Sequence, residues 1–522
     1  MKFISRQNIL TAVVLIILSL PAIFQLFHKG FFVTDDGEWM IIRFSAFHQA
    51  LKDGEFPVRF LGRLNQEYGY PVANFLYPGF MYLAEPFHII GFNFVNSIKI
   101  ILGFSFILSG VFTYLWLRKF FDKISSCIGA LFYIYTPYHL YDLYKRGSVG
   151  ELVALATIPF ILWQIERKSI FWSAIGIGIL IVSHNTLAGL FLVFILCYMF
   201  LDIYILKKKQ YIFLYILILL LGGGIAAFFW IPALAELQYT VFGKTTVSNW
   251  REYFANFSLV GYSTLAVLLL TIINVLSKKI LIGKHRLTVL LSILFIVSLF
   301  FATSLSYQLW IILPANFIQF PFRLLSVTLI CVAFLVAANL SILNGYKKLG
   351  ATIILVAVLL FSAIPFLKPS AHFDKEEGYY ATNMATTTVH DEYLPTWMKE
   401  KPFQRPERKV EVIKGKGEVQ DIFYNNKKVQ FGVNSQTTTT VRVNTVYWPG
   451  WHATIDGKPI SLSYINPKGV IEFDAPQGTH QVQIGFRETP LRLFSDFLSI
   501  ISLIILFGLT TKTRLYTKGK KL

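Results

Sequence analysis

The chain is poor in cysteine and in charge. Each of its three cysteines, Cys127, Cys197 and Cys331, lies within an apolar run, which excludes a disulfide framework. Charged residues make up only 15% of the 522 residues and hydrophobic residues 55%, and the mean hydropathy is +0.56. A soluble protein of this length could not bury so much apolar surface. The composition therefore predicts a polytopic membrane protein.

Acidic residues are scarcer than basic ones, 29 against 48, which gives a formal net charge of +19. Such an excess could indicate nucleic-acid binding. The basic residues, however, fall in short clusters between apolar runs, as the positive-inside rule produces. We therefore expect membrane-protein loops and no nucleic-acid partner. The sequence also lacks a phosphate-binding glycine loop, a serine nucleophile elbow and a thiol site.

Apolar runs of about 20 residues are long enough to cross the hydrocarbon core of a bilayer. The sequence predicts about twelve such spans: 8–27, 94–117, 124–137, 150–165, 170–183, 187–206, 211–231, 258–277, 286–303, 324–343, 350–367 and 492–510. Spans 124–137 and 170–183 are short and lie beside polar loops. Short spans of this kind suggest helices that end within a protein-lined cavity.

The basic clusters fix an expected orientation. If the N-terminus is cytoplasmic, every cytoplasmic connection is basic and the alternation holds through all the predicted spans. The clusters are Arg118-Lys119 with Lys123, Arg167-Lys168, Lys207-Lys208-Lys209, Lys278-Lys279 with Lys284 and Arg286, Lys347-Lys348, and the C-terminal tail. Both termini are therefore predicted to be cytoplasmic, with the first loop (28–93) and residues 368–490 outside.

Residues 368–490 differ from the rest in pattern. Segments such as KVQFGV and TTTVRVNTV alternate with period two, and Asp456-Gly457 is a turn signal. We predict a small antiparallel β-sandwich, which divides the chain into a membrane module (1–367), an extracytoplasmic β domain (368–490), and a final helix with a basic tail (491–522). Trp448 and Trp451 would either stack on a carbohydrate or belong to the β-domain core.

The first loop concentrates acids: Asp35, Asp36 and Glu38 follow the first span directly. An acid here could cap a following helix, since DDGEWMIIRFSAFHQALKDG reads as amphipathic from about Asp36. The functional alternative is a carboxylate general base, or a ligand for Mg²⁺ or Mn²⁺, although no complete ligand set is visible. The sequence leaves both alternatives open.

Arginines recur in the predicted outer loops, which runs against the orientation bias. Interfacial snorkelling would explain each one singly. Guanidinium groups also bind phosphate through bidentate hydrogen bonds, so we predict a site for a lipid-linked phosphate. Its candidates are Arg59, Arg63, Arg146 and Arg323, with Arg43 in support.

Further polar residues occur beside the predicted spans. Glu151 begins an apolar span, where an ionisable residue is costly unless it is paired or functional, and pairing with Lys145 or Arg146 is the simpler reading. A helix-end hydrogen bond is the simpler reading for His184 and Asn185. We assign supporting roles to Tyr138, Glu151, His184, Asn185 and Gln319.

An ordered series of motifs resembles the YfhO-like, "6-pyruvoyl-tetrahydropterin synthase-related" bacterial membrane proteins. The motifs are KDGEFPVRF, GYPVANFLYPGF, YDLYKRGSVGE, SHN, QFPFRLL, DEYLP, YWPGWHATIDGKPI and GTHQVQIGF. This family is similar to the GT-C membrane glycosyltransferases, which implies an acid of the first outer loop as base and a polyprenyl-phosphate sugar as donor. The family pattern places His four and Arg seven residues after that acid. Asp36 and Arg43 fit this spacing, whereas Met40 stands at the His position. Asp36 is therefore preferred as the base, and Asp35 remains the alternative.

These observations predict an outward-facing, inverting glycosyltransferase. Its acceptor would be a cell-envelope polymer or a glycolipid, and membrane lipid would surround it. A transporter or lipid-carrier flippase is the rival from another class, because twelve spans with basic loops fit it equally well. A flippase should show broken or charged spans in corresponding halves, and no halves are visible. A non-catalytic envelope assembly factor is the third alternative.

Overall fold

A computed structural model describes residues 6–205, 207–244, 250–277, 285–312 and 318–519 of the chain. The predicted cytoplasmic residues Lys278, Lys279 and Lys284 lie outside these ranges. The α-helices are α1 Arg6–Ile23, α2 Gly37–Lys52, α3 Gly79–Ile89, α4 Phe94–Leu117, α5 Lys123–Tyr135, α6 Pro137–Tyr141, α7 Val149–Glu166, α8 Ile170–Ser183, α9 Asn185–Phe200, α10 Ile212–Ile225, α11 Ala227–Glu236, α12 Phe257–Val260, α13 Tyr262–Leu276, α14 His285–Ala302, α15 Tyr307–Ile312, α16 Leu325–Ser341, α17 Gly345–Ala363, α18 Glu377–Thr382 and α19 Pro490–Gly519.

The membrane-spanning character predicted from composition is confirmed. Within the described ranges, seven helical stretches are long and apolar enough to cross a membrane: Ile9–Phe27, Phe94–Leu117, Val149–Glu166, Asn185–Tyr204, Pro321–Ser341, Gly345–Phe366 and Pro490–Leu509. Two bent helix pairs, Lys209–Ile225 with Ala227–Tyr239 and Arg286–Ala302 with Ser304–Ile312, bring the number to nine. Three shorter apolar helices, α5, α8 and α13, account for the remaining predicted spans.

The predicted span 211–231 bends by 70° between α10 and α11. A bend frees backbone groups that must find partners in an apolar setting. Ser499 of α19 supplies them, because its hydroxyl accepts from the Phe228 N–H at 2.8 Å and donates to the Gly224 carbonyl at 3.1 Å. A Cβ at Gly224 would lie 2.1 Å from the Ser502 hydroxyl oxygen, so only glycine allows α19 to come this close.

Helices α5 and α8 have only 13 and 14 residues. At about 1.5 Å per residue they reach about 20 Å, less than the hydrocarbon thickness of about 30 Å. Helix α8 ends at Ser183, and the next residue, His184, lines a polar cavity. The short span thus ends within the protein, as its length predicted.

The predicted β fold is also present. The strands are β1 Phe31–Phe32, β2 His372–Phe373, β3 Val410–Lys414, β4 Gly417–Tyr424, β5 Lys428–Ser435, β6 Thr439–Val446, β7 Trp451–Ile455, β8 Lys458–Ile460, β9 Val470–Ala475 and β10 Gly478–Phe486. Strands β3 to β10, here called the β module, form two antiparallel sheets of order β4-β5-β10-β7-β8 and β3-β6-β9. Val429, Phe431 and Val433 of β5 are buried in alternation, which is the period-two pattern of a one-sided strand.

Trp448 and Trp451 belong to the core. Trp448 is fully buried and packs on Phe75 and Trp397, with ring centroids 5.7 and 5.8 Å apart. Trp451 is 5% exposed and packs on Phe60 at 5.7 Å. Both rings pack between the β module and the first loop, so they belong to the core and not to a surface on which a carbohydrate could stack.

Residues 368–395 fold back onto the helical bundle instead of joining the two sheets. Strand β2 pairs with β1 of the first loop, Phe31 opposite Phe373, and α18 packs on α2. Residues 384–395, here called the capping segment, continue across the bundle end, where Thr240 and Pro395 form an antiparallel bridge. The residues between the capping segment and β3 contact the β module instead, as in the bond from the Lys399 N–H to the Pro467 carbonyl at 2.9 Å.

A buried ion pair joins α19 to α11. Arg492 binds Glu236 through two parallel contacts, Nε to Oε1 at 2.9 Å and Nη2 to Oε2 at 2.8 Å. Asn74 of the first loop donates to the same carboxylate at 2.8 Å. Both charged side chains are almost fully enclosed, so each depends on the other for its solvation.

We expect Arg492→Ala to lower the free energy of unfolding by about 3–5 kcal/mol, because it leaves the Glu236 carboxylate buried and unpaired. Thermal unfolding in detergent measures the change, with the exposed neighbour Arg487→Ala as control. Replacing both Arg492 and Glu236 with Leu should cost less than the single change. A double variant as unstable as the sum of its singles would contradict the pairing.

Candidate active site

A polar cavity of about 460 Å³ lies where the first loop, the α8–α9 junction and the capping segment meet. It is bounded by the start of α2, the turn at 319–323 and residues 387–393. Its charged and titratable lining residues are Asp36, Tyr77, Arg43, Arg146, His184, Tyr253, Arg323, His390, Glu392 and Tyr393. The structure thus gathers residues from across the whole membrane module and from the segment that follows it.

Asp36 stands immediately before α2, and its side chain makes no capping hydrogen bond to that helix. Instead Oδ2 accepts from Nη2 of Arg146 at 2.8 Å, and the Asp36 N–H donates to the Arg146 carbonyl at 2.9 Å. Asp35 does not line the cavity; its carboxylate is 42% exposed and pairs with Lys145 at 3.2 Å. Of the two adjacent aspartates, Asp36 is the one that faces the cavity.

Glu151, in the first turn of α7, is the centre of a buried polar cluster. Its Oε1 accepts from Nε of Arg323 at 3.0 Å and from Nη2 of Arg146 at 3.3 Å. The Tyr138 hydroxyl lies 3.4 Å from Oε2, and Nε2 of His184 lies 3.4 Å from Oε1. One fully buried carboxylate therefore holds two arginines at the cavity wall. This geometry meets the requirement that a buried charge be paired.

His184 is neutral in this cluster. Burial lowers the pKa of its imidazole to about 3, although the Glu151 carboxylate opposes that shift. Nδ1 accepts from the Leu187 N–H at 3.3 Å, at the start of α9. In the neutral ring the proton is then assigned to Nε2, which lies 3.4 Å from Oε1 of Glu151. The helix-end hydrogen bond expected for this residue is present.

The segment QFPFR (319–323) positions the two guanidinium groups. Arg323 donates through Nη1 to the Gln319 side chain at 2.7 Å and lies over the Phe320 ring at 4.7 Å. Arg146 lies over the same ring at 5.0 Å and over Phe322 at 5.5 Å. Burial would lower the pKa of Arg146, but Asp36 and Glu151 raise it above its ordinary value, so the group stays charged.

Asp142 lies beside this cluster and is fully buried. Neither of its carboxyl oxygens has a hydrogen-bond partner among the described residues. Burial, followed by the nearby Glu151 carboxylate, raises its pKa well above the ordinary value. A neutral carboxylic acid is the form that these surroundings favour.

The structure does not bring Arg59 and Arg63 into the cavity. Arg59 pairs with Glu488 at 3.2 Å and with Asp496 at 2.9 Å, at the start of α19. Arg63 donates to the Ser45 hydroxyl of α2 at 2.5 Å and to the Asn383 carbonyl, directly after α18, at 3.1 Å. Both guanidinium groups tie the first loop to later segments.

Arg43 does line the cavity, on the face of α2 that also presents Asp36 and Met40. It donates to the capping segment, through Nη2 to the Thr387 carbonyl at 2.6 Å and through Nε to its hydroxyl at 3.3 Å. Thr387 has a positive φ of 63°, which a β-branched residue rarely adopts. The contact with Arg43 holds this unusual conformation in place.

A second, apolar groove of about 470 Å³ opens beside the polar cavity. Its walls come from α8, α9, α10 and α11, and they include Ile177, Leu192, Leu219 and Trp230. Five residues line both spaces: Asn185, Gly189, Leu234, Phe242 and Tyr393. The apolar groove between membrane helices is therefore adjacent to the cavity that charged groups line.

The paired acids of the first loop leave open a Mg²⁺ or Mn²⁺ site. Across the part of the chain that the structure describes, no three His, Cys, Asp or Glu side chains come together as metal ligands. Asp36 is held by an arginine instead.

Three solved structures are similar to this chain. The cryo-EM structure of the arabinofuranosyltransferase AftD from Mycobacteria gives a TM-score of 0.46 at 16% identity, covering 72% of this chain and 28% of that one. The oligosaccharyltransferase of Archaeoglobus fulgidus tethered to an acceptor peptide gives 0.40 at 13%, covering 74% and 60%. The same enzyme with Zn and sulfate gives 0.38 at 16%, covering 76% and 59%.

The chain spans less than two thirds of the length of each of these structures. No family model matches it, and neither does any curated protein. At these identities and TM-scores none of the three similarities assigns a chemistry to this chain. The resemblance to the YfhO-like family stays a prediction.

Proposed function

We propose that this protein is a membrane glycosyltransferase that moves a sugar from a polyprenyl-phosphate carrier to a cell-envelope polymer or glycolipid. The observation that carries the proposal is the adjacency of the apolar groove and the polar cavity, which share five lining residues. A polyprenyl-phosphate sugar has the same division: a long hydrocarbon chain, then a phosphate, then a sugar. The groove suits the chain, and the arginine-lined cavity suits the phosphate.

Arg146 and Arg323 are the phosphate-binding groups in this proposal. Glu151 holds both at one wall, and the rings of Phe320 and Phe322 support their planes. Held guanidinium groups bind an arriving anion without first losing side-chain freedom. Arg43 adds a third cation on the facing helix. Arg59 and Arg63 have no part in this site, because their donors serve other segments.

Asp36 is the proposed general base. The acceptor hydroxyl would attack the anomeric carbon while the bond from that carbon to the phosphate oxygen breaks. Asp36 would take the hydroxyl proton, and the departing polyprenyl phosphate would keep the bonding electron pair. The arginines would stabilise the charge that grows on this phosphate. A single displacement of this kind inverts the anomeric centre and needs no covalent intermediate.

The proposed orientation places the cavity and the β module outside the cell and both termini inside. It is supported by the basic clusters, such as Lys168 and Lys208, which share the Asp202 carboxylate at the far end of α9. Nucleotide sugars are confined to the cytoplasm. A transferase facing outward therefore needs a donor carried by a membrane lipid.

Gly189 offers a test of the donor route, because it lines both spaces and a Cβ there would meet nothing within 4 Å. We expect Gly189→Phe to fill the space where the groove and the cavity adjoin and to weaken binding of undecaprenyl phosphate by about tenfold or more, without unfolding the helix. Lipid binding in nanodiscs measures this effect.

Gly350→Phe is the matched control, since Gly350 lies in α17, away from the groove, and also has open space around it. It should bind the lipid as the wild type does. Equal affinity in the Gly189 variant would remove the groove from the donor path.

A further inference from the structure

Glu392 of the capping segment places a carboxylate in the cavity wall. Its Oε2 is fully enclosed and has no hydrogen bond in the described part of the chain. The backbone around it is fixed: the Tyr393 N–H donates to the Tyr70 hydroxyl at 3.1 Å, and the Leu394 N–H donates to the Asp391 carbonyl at 2.9 Å. The side chain is therefore presented to the cavity from a held position.

The neighbouring acids differ from Glu392 in this respect. Asp36 pairs with Arg146 across the cavity wall, and Asp391 pairs with Lys401 outside it. An enclosed carboxylate oxygen has lost its hydrogen bonds to water, and without a partner in the protein this desolvation costs free energy. A ligand that donates hydrogen bonds would remove this cost.

The chemistry of the carboxylate restricts that ligand. An ionised carboxylate only accepts hydrogen bonds, and a phosphate diester has no proton to donate. The cavity therefore holds two kinds of group: the arginines for an anion, and Glu392 for a donor of hydroxyl protons. Sugar hydroxyls are such donors.

We propose that Glu392 is a sugar-binding residue, whose carboxylate accepts hydrogen bonds from ring hydroxyls of the donor's sugar or of the acceptor's sugar. This inference rests on the proposed function, because it gives the cavity a saccharide as ligand. Arg43 and Tyr70 hold Thr387 and Thr388 of the same segment, at 2.6 and 2.8 Å. They are positioning residues for the carboxylate.

The test compares two lipids in nanodiscs: bare undecaprenyl phosphate, and undecaprenyl phosphate carrying glucose, galactose, N-acetylglucosamine or arabinose. The wild type should bind at least one glycosylated lipid more tightly than the bare lipid. In Glu392→Gln this preference should fall by about tenfold, because a charge-assisted hydrogen bond is lost. Affinity for the bare lipid should stay the same or rise, because a negative charge has left the cavity.

The different effects on the two lipids separate sugar binding from a structural role, since misfolding would lower the affinity for both lipids together. Glu400→Gln, an exposed residue beyond the capping segment, should change neither affinity. If the lipid preference is intact but binding of neutral trisaccharides in the presence of undecaprenyl phosphate is lost, Glu392 holds the acceptor sugar. If both are intact, the proposal is overturned. A wild type that binds neither lipid would overturn the proposed function itself.

Discussion

Asp36→Asn is expected to lower sugar transfer by about 10²–10⁴-fold, the usual contribution of a general base. The amide keeps the size of the side chain and can still accept from Arg146 through its oxygen. It cannot take a proton from the acceptor hydroxyl. The loss should therefore appear in kcat, with little change in KM for the lipid donor.

Asp35→Asn is the matched control for this prediction. The same change is made one residue away, on a side chain that is 42% exposed and pairs with Lys145 outside the cavity. We expect transfer to change by less than about threefold, since an exposed ion pair contributes little. Rates that fall equally in both variants, or in neither, would contradict the assignment of Asp36 as the base.

Glu151→Gln is expected to lower the free energy of unfolding by about 3–5 kcal/mol, because it removes the buried carboxylate shared by Arg146 and Arg323. The two guanidinium groups then need another anion. Inorganic phosphate should raise the unfolding temperature of this variant more than that of the wild type. Thermal unfolding with and without phosphate, at constant ionic strength, measures the difference.

Glu166→Gln provides the matched control on the same helix. Glu166 lies at the opposite end of α7 and accepts from the Tyr198 hydroxyl at 2.6 Å, far from the arginines. Its replacement should lower the stability of the protein, but phosphate should raise the unfolding temperature of this variant no more than that of the wild type. If phosphate stabilises both variants equally, the arginine cluster is not an anion site.

The sequence predicted the helices of this protein well because hydrophobic run length is a local property. It also predicted the alternating strands of the β module. The bend between α10 and α11 lay inside one apolar run, and it depends on Ser499, which is more than 270 positions away. No local pattern carries that contact.

The candidate site was predictable where its residues share a helix face. Asp36, Met40 and Arg43 follow one another at i, i+4 and i+7, and all three line the cavity. Arg59 and Arg63 lie near them in sequence but point to other partners, because the first loop turns away between α2 and α3. The spacing of residues along a helix fixes which side chains point the same way, whereas spacing along a loop does not.

Glu392 was missed as a site residue for a different reason. In the sequence the DEYLP stretch stands out only as a motif, and it lies within residues 368–490, where period-two alternation predicts a β domain. The capping segment returns to the bundle through the pairing of β1 with β2 and the contact of Arg43 with Thr387. Both are contacts across more than 300 residues, and they depend on tertiary packing.

The central claim is that this cavity breaks the bond between a sugar and a lipid phosphate. Its most direct test is mass spectrometry of proteoliposomes that contain the wild-type protein, an envelope extract as acceptor, and undecaprenyl-phosphate sugars. We expect undecaprenyl phosphate to accumulate as glycosylated product forms. Lipid-linked sugar that crosses the bilayer unchanged, with no undecaprenyl phosphate released, would contradict the claim and identify a flippase.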